Sequence, residues 1–234
     1  MEAELKGLRK LNRNAGLLHL ASFIAIILLA NDAKLPVNAT YMTEAPGTGS
    51  FSSPVQLFNL NISYMVAAFL FLSAFFHFFV SSPRVFPKYV DGLARHINVY
   101  RWVEYALSSS IMIVVILQLN GVADYIALLA VFGVNASMIL FGWLQERYTT
   151  PGNGDRRPFW FGCIAGAAPW VAIGYNLVAA EQVPGFVVGI FVSLFVFFNS
   201  FALNQWLQYR QVGPWRSYAF GEKAYLVLSL VAKS

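Results

Sequence analysis

Ala224-Tyr225-Leu226-Val227-Leu228-Ser229-Leu230-Val231-Ala232-Lys233-Ser234 ends the sequence, and it places a lysine inside an apolar run. Read as a helix, the run sets Ser229 and Lys233 four residues apart on one face, where both can act on the same group. An ionisable side chain in a membrane-grade helix is costly and calls for a named partner. The bland alternative is a lysine that snorkels from a helix end. The choice between them rests on the remainder of the chain.

With 58% hydrophobic and 12% charged residues in 234 positions, the chain carries more apolar surface than a soluble core absorbs, and it reads as an integral membrane protein. Six stretches approach the roughly 20 apolar residues a span requires: 15–30, 58–80, 98–119, 125–144, 159–180 and 186–207. A seventh starts near Tyr218. Its length of about 16 residues covers about 24 Å, short of the roughly 30 Å hydrocarbon core, so the seventh helix is expected to be truncated at its C-terminal end. The fold class is therefore an all-α, seven-transmembrane helix bundle, with residues 1–234 as a single domain.

The basic residues alternate between connections. Lys6, Arg9, Lys10 and Arg13 precede the first span, Arg84, Lys88 and Arg95 follow the second, Arg147, Arg156 and Arg157 follow the fourth, and Arg210 and Arg216 follow the sixth. The other connections hold only Lys34 among Asp32, Glu44, Asp124 and Glu181. This asymmetry predicts a cytoplasmic N-terminus and an extracellular C-terminus in a multi-pass protein of the cell membrane. No basic patch with interleaved aromatics argues for nucleic acid. The basic-then-apolar N-terminus resembles a signal peptide, but the charge pattern uses it as a retained first helix. Cys163, the one cysteine, excludes an intramolecular disulfide.

Residues 31–57 form a long outer loop, in which Thr40-Tyr41-Met42-Thr43 before Ala45-Pro46-Gly47 suggests a small β-hairpin. Span one carries His19, and span two carries Ser73 and His77 on one face, with the two histidines near the same membrane edge. Counting rises from the cytoplasmic entry puts Glu104 about 10 Å deep and Lys233 about 22 Å deep. Arg101, one turn before Glu104, competes as its ion-pair partner. Ser108 to Ser110 read as close helix packing. Asn135, Met138 and Gly142 share a face of span four; Trp160, Trp170 and Tyr175 lie in span five, and Phe198, Gln205 and Trp206 in span six. Such stripes are more often packing than ligand pocket, yet glycine and methionine beside aromatics suit a flat apolar ligand.

A buried lysine can form an imine with an aldehyde. If that aldehyde is retinal, the protonated imine is a buried cation, for which Glu104 can supply charge, Ser229 or Ser73 hydrogen bonds, and His19 and His77 a place for a released proton. Trp102-Val103-Glu104-Tyr105-Ala106-Leu107-Ser108-Ser109-Ser110 and Ser229-Leu230-Val231-Ala232-Lys233, within seven spans and an inverted orientation, resemble the heliorhodopsins from the first helix to the last residue. The resemblance implies that Lys233 carries all-trans retinal with Glu104 as counterion, and that Ser73, Ser229, His19 and His77 line the cavity near the Schiff base. It further implies that Tyr105, Asn135, Met138, Gly142, Tyr175, Phe198 and Gln205 contact the polyene. It also implies a homodimer, an unidentified signalling partner, a slow photocycle and no ion transport, although some viral relatives conduct protons.

Two function classes compete on this scaffold. A photoreceptor needs the Lys233, Glu104 and Ser229 constellation. A light-driven transporter usually needs polar groups on both sides of the Schiff base, whereas the ionisable residues here cluster toward the cytoplasmic half. A retinal-free membrane scaffold is the bland alternative. An enzyme has no supporting motif: metal-ligand cluster, nucleophile elbow and phosphate loop are all missing from the sequence, and His19, His77 and His96 fall in different segments.

Overall fold

The helix α4 (Val99–Leu119) is the axis of the molecule, buried along most of its length from Arg101 to Gln118. The computed structural model describes residues 2–233, with side chains described from Gly7 onward. Around α4 stand α1 (Glu2–Leu28), α2 (Ile62–Ser81), α5 (Tyr125–Tyr148), α6 (Arg157–Ala179), α7 (Gly185–Arg210) and α8 (Tyr218–Lys233). Helices consecutive in the chain touch, and α8 returns to α1. All but α8 are long and apolar enough to cross a membrane. A short helix, α3 (Phe86–Ala94), lies between α2 and α4.

Local chemistry sets the helix starts. Asn61, Asn98 and Asp124 cap α2, α4 and α5, each side chain accepting a backbone N–H from three residues on; such caps each contribute about 1 kcal/mol. Arg157, at the start of α6, donates to Asp155 and holds that exposed carboxyl down at about 2. Pro169 interrupts the backbone ladder of α6 beside Trp170.

The expected helix over 58–80 begins later, at Ile62, because residues 55–61 pair instead as a strand. β1 (Lys34–Ala39) and β2 (Val55–Asn61) form an antiparallel hairpin, with a register shift between Val37 and Asn38. The segment expected to be the hairpin is only its tip: Met42 bridges Phe51, and the turn closes through Thr48 N–H to the Ala45 carbonyl. Asn38 N–H reaches the Ala123 carbonyl at 2.8 Å and clips the hairpin to the α4–α5 connection.

The sequence reading did not foresee α3. Its Tyr89 is buried with Leu8, Val80 and Leu226, joining α1, α2 and α8 at the basic end. At the hairpin end, Val37, Ile113, Val114, Ile116, Leu117, Leu128 and Ile173 form an apolar core. Between these two cores lies the polar centre of the bundle.

Candidate functional site

Lys233 projects from the last turn of α8 into a cage made by two other helices. Its Nζ donates to Glu104 Oε1 at 2.6 Å, to Ser73 Oγ at 2.8 Å and to Ser108 Oγ at 2.8 Å. An ammonium has three donors, and all are used. Ser73 also donates to Glu104 Oε1 at 2.7 Å, so α2 holds the carboxylate and the lysine together. The Lys233 and Glu104 side chains are 4% and 6% exposed. Counting rises separated the two backbones by about 12 Å of depth, yet the two side chains meet at 2.6 Å.

Lys233 forms one wall of a cavity of about 450 Å³ between α4, α5, α6, α7 and α8. That volume falls within the range of about 300–1,000 Å³ usual for small-molecule sites. Trp102, Tyr105, Met138, Gly142, Phe198 and Gln205 all line it, together with Ser108, Trp170 and Cys163. Missing side chains shape it: a Cβ on Gly142 would lie 2.5 Å from the Trp102 ring, and one on Gly166 would strike the Met138 sulfur. An apolar chamber with one buried amine in its wall fits an apolar aldehyde such as retinal.

Gly142→Val is expected to force the Trp102 ring from its seat and to cost about 1–3 kcal/mol, the usual range for overpacking. The thermal unfolding midpoint in detergent reads this loss, and an unchanged midpoint would contradict the packing described.

The remaining expected residues take distinct places. His19 and His77 stack with centroids 5.5 Å apart and planes 5° from parallel. His77 Nδ1 lies 3.0 Å from Asn12 Oδ1, while both ring nitrogens of the fully buried His19 have no hydrogen-bond partner among the described residues. Ser229 is buried, yet its hydroxyl has no such partner either, and Ser108 occupies the position at Lys233 that the four-residue spacing suggested for Ser229. Asn135 lies outside the cavity lining and donates to Ser109 and Ser110. Tyr175 is 74% exposed and stands away from the cavity, because its position on α6 faces outward from the bundle.

Arg101 does not pair with Glu104. It reaches across helices to Glu146 of α5 and Glu222 of α8, and its guanidinium lies 4.4 Å from the Trp102 ring and 3.9 Å from the Tyr225 ring. Trp102 Nε1 donates to Glu146 Oε2 at 2.6 Å, which links the cavity wall to this charged cluster. Sequence reasoning missed Glu146 and Glu222, although two acids inside apolar helices were a readable signal. It also missed Ser108 as a lysine partner, having taken it for packing.

No curated protein matches the chain. The family model described as Heliorhodopsin matches residues 8–234, nearly the whole chain. The chain belongs to the heliorhodopsin family, and is thus a multi-pass, retinal-binding, rhodopsin-like membrane photoreceptor built as a seven-helix bundle.

Proposed function

We propose that the protein senses light through all-trans retinal held on Lys233 as a protonated Schiff base, with Glu104 as counterion, a slow photocycle and no ion transport. The observation that carries this reading is the buried Lys233–Glu104 contact of 2.6 Å in the wall of the apolar cavity. Bound retinal supplies a visible transition and a light-driven change of shape. The chain's own residues do the rest. Glu104 offers the negative charge that keeps a cation at Nζ tolerable in the bilayer, Ser73 and Ser108 orient it, and Trp102, Met138 and Phe198 hold the polyene. His19 and His77, close to Glu104 but outside the main cavity, are suited to take up a displaced proton.

The absence of transport is supported by the apolar core at the hairpin end. Ile113, Val114, Ile116 and Leu117 continue α4 beyond the lysine cage, backed by Val37, Leu128 and Ile173. Polar residues crowd the other side of the cage, including Asn12, Asn98, Arg101, Glu146 and Glu222. The alternative, a light-driven or light-gated proton or ion transporter, predicts light-induced pH changes in cell suspensions that a protonophore abolishes.

The basic connections support a cytoplasmic N-terminus at the α3 end and an extracellular hairpin in the cell membrane. A homodimer with an unidentified signalling partner completes the proposal; the outward aromatic and aliphatic surfaces of α6 and α7 supply apolar area for lipid or a second copy.

Adding all-trans retinal to the purified protein is the deciding experiment, and a visible band is the expected outcome. In Glu104→Gln that band is expected at longer wavelength, because removing the counterion no longer favours charge localised at the nitrogen in the ground state. A band at the wild-type position in Glu104→Gln would remove Glu104 from the counterion role.

A further inference from the structure

Ahead of Asn204, the apolar stretch of α7 carries three polar side chains, Ser193, Asn199 and Ser200. The two serines turn their hydroxyls back on their own helix and donate to the Gly189 and Phe197 carbonyls. Asn199 satisfies only one end in that way. Its Nδ2 donates to the Phe195 carbonyl at 2.8 Å. Because a backbone carbonyl only accepts, the amide nitrogen has to face Phe195, and the amide oxygen Oδ1 is left without a partner among the described residues. Asn199 is exposed on a membrane-spanning helix, where an unmet amide oxygen is costly and a polar residue reads first as a functional one.

Its place shows what it serves. Asn199 lines the apolar cavity where that cavity meets the outside of the bundle between α6 and α7. Val171 of α6 and Phe195 of α7 share this double character, lining the cavity while exposed at the bundle surface. Here α6 presents the small side chains of Gly162, Cys163, Gly166 and Ala167, which leave the gap unfilled. Trp170 stands edge-on to Phe195 and Phe198, with ring centroids 5.2 Å and 5.4 Å apart, and bounds the gap with aromatic surface toward the hairpin-end core.

A ligand held at Lys233 reaches this gap with its far end. Lys233 is on α8, whereas α6 packs on α4, α5 and α7, so an elongated chain that leaves the lysine and fills the cavity runs away from α8 toward α6. In retinal joined through its aldehyde carbon, the far end is the cyclohexenyl ring. A plain hydrocarbon ring offers Oδ1 nothing, and a ring hydroxyl offers it a donor.

We infer that the cavity favours a retinal whose ring carries a hydroxyl group, and that Asn199 selects it by accepting a hydrogen bond from that hydroxyl at Oδ1. This selection rests on the light-sensing function proposed above and adds the ligand's chemical class to it; unmodified retinal still binds, less tightly. A second copy packed on α7 is the other way to satisfy the amide, but a contact between helices needs no opening into the cavity beside it.

The test offers the purified full chain an equimolar mixture of all-trans retinal and all-trans 3-hydroxyretinal, and separately a mixture with all-trans 4-hydroxyretinal. The ratio of the two aldehydes recovered from the washed protein is read by chromatography for wild type, Asn199→Leu and Asn199→Ala. Comparing proteins cancels the difference in solvation between the free ligands. One hydrogen bond shifts such a ratio by roughly fivefold, so the hydroxylated share in wild type is expected to exceed that in both variants by about this factor for at least one hydroxyretinal. Equal ratios in all three proteins for both hydroxyretinals would overturn the inference. A changed oligomeric state in the variants with unchanged ratios would overturn it too, and would assign Asn199 to a contact between copies. Wild type that forms no visible band with unmodified retinal would remove the light-sensing function itself, whereas a normal band beside equal ratios removes only the selection by Asn199.

Discussion

Lys233→Ala is expected to abolish the visible band completely when the protein is given all-trans retinal, because no other lysine side chain lines the apolar cavity among the described residues. The substitution has a second effect that must be separated from the first. It strands Glu104, 6% exposed, with Ser73 as its one remaining side-chain hydrogen-bond partner among the described residues. Removing one member of a buried pair typically costs about 3–5 kcal/mol, part of which protonation of the survivor recovers. The double variant Lys233→Ala/Glu104→Gln is therefore expected to regain thermal stability without regaining colour. Colour in the single variant would sink the assignment of Lys233, whereas an unfolded single variant beside a folded, colourless double variant would support it.

Arg101→Ala is expected to be the most destabilising change in the molecule outside the lysine cage. Arg101 bonds Glu146 and Glu222 and fills the space between the Trp102 and Tyr225 rings, so its loss uncouples α4, α5 and α8 at one point. The expected cost is about 3–5 kcal/mol, visible as a lowered thermal midpoint in detergent. Arg101→Lys is expected to recover only a minor part, because a single ammonium cannot fork to two carboxylates and stack on two rings. A midpoint for Arg101→Ala near that of wild type would mean that the cluster contributes little to holding the helices together.

Much of this architecture was legible in the amino-acid pattern. Hydropathy delimits the long helices other than α1 to within a few residues, since a backbone in lipid has to satisfy its hydrogen bonds internally; α1 extends well upstream of its apolar stretch, back to Glu2. The boundary at 58–62 was missed for a physical reason: Leu57, Phe58 and Leu60 are apolar enough for a span, but a strand partner 20 or so residues earlier takes up their backbone bonds. Hydropathy does not encode that pairing. The helix α3 was missed because it lies along the bundle end, where nine residues are too few for a span signal.

The site was legible in part. Lys233 and Glu104 stood out because ionisable residues in apolar helices are rare, and the structure sets their side chains 2.6 Å apart. Arg101 was judged by its neighbours along one helix, a rule that ranks sequence distance above tertiary reach. Its long side chain instead crosses to two other helices. Tyr175, an aromatic in the right span, turned outward because the rotation of α6 about its axis is set by packing and not by composition.

The sequence by itself determined that the chain lives in a membrane, roughly where its long helices lie, and that a buried lysine needs a buried acid. These follow from transfer energies and helical periodicity, which act residue by residue and turn by turn. Only the tertiary structure decided which serine serves Lys233, which acids take Arg101, and which aromatics enclose the cavity. Those choices depend on the depth and rotation of one helix against another, and many sequences of the same hydropathy would satisfy the membrane without making them.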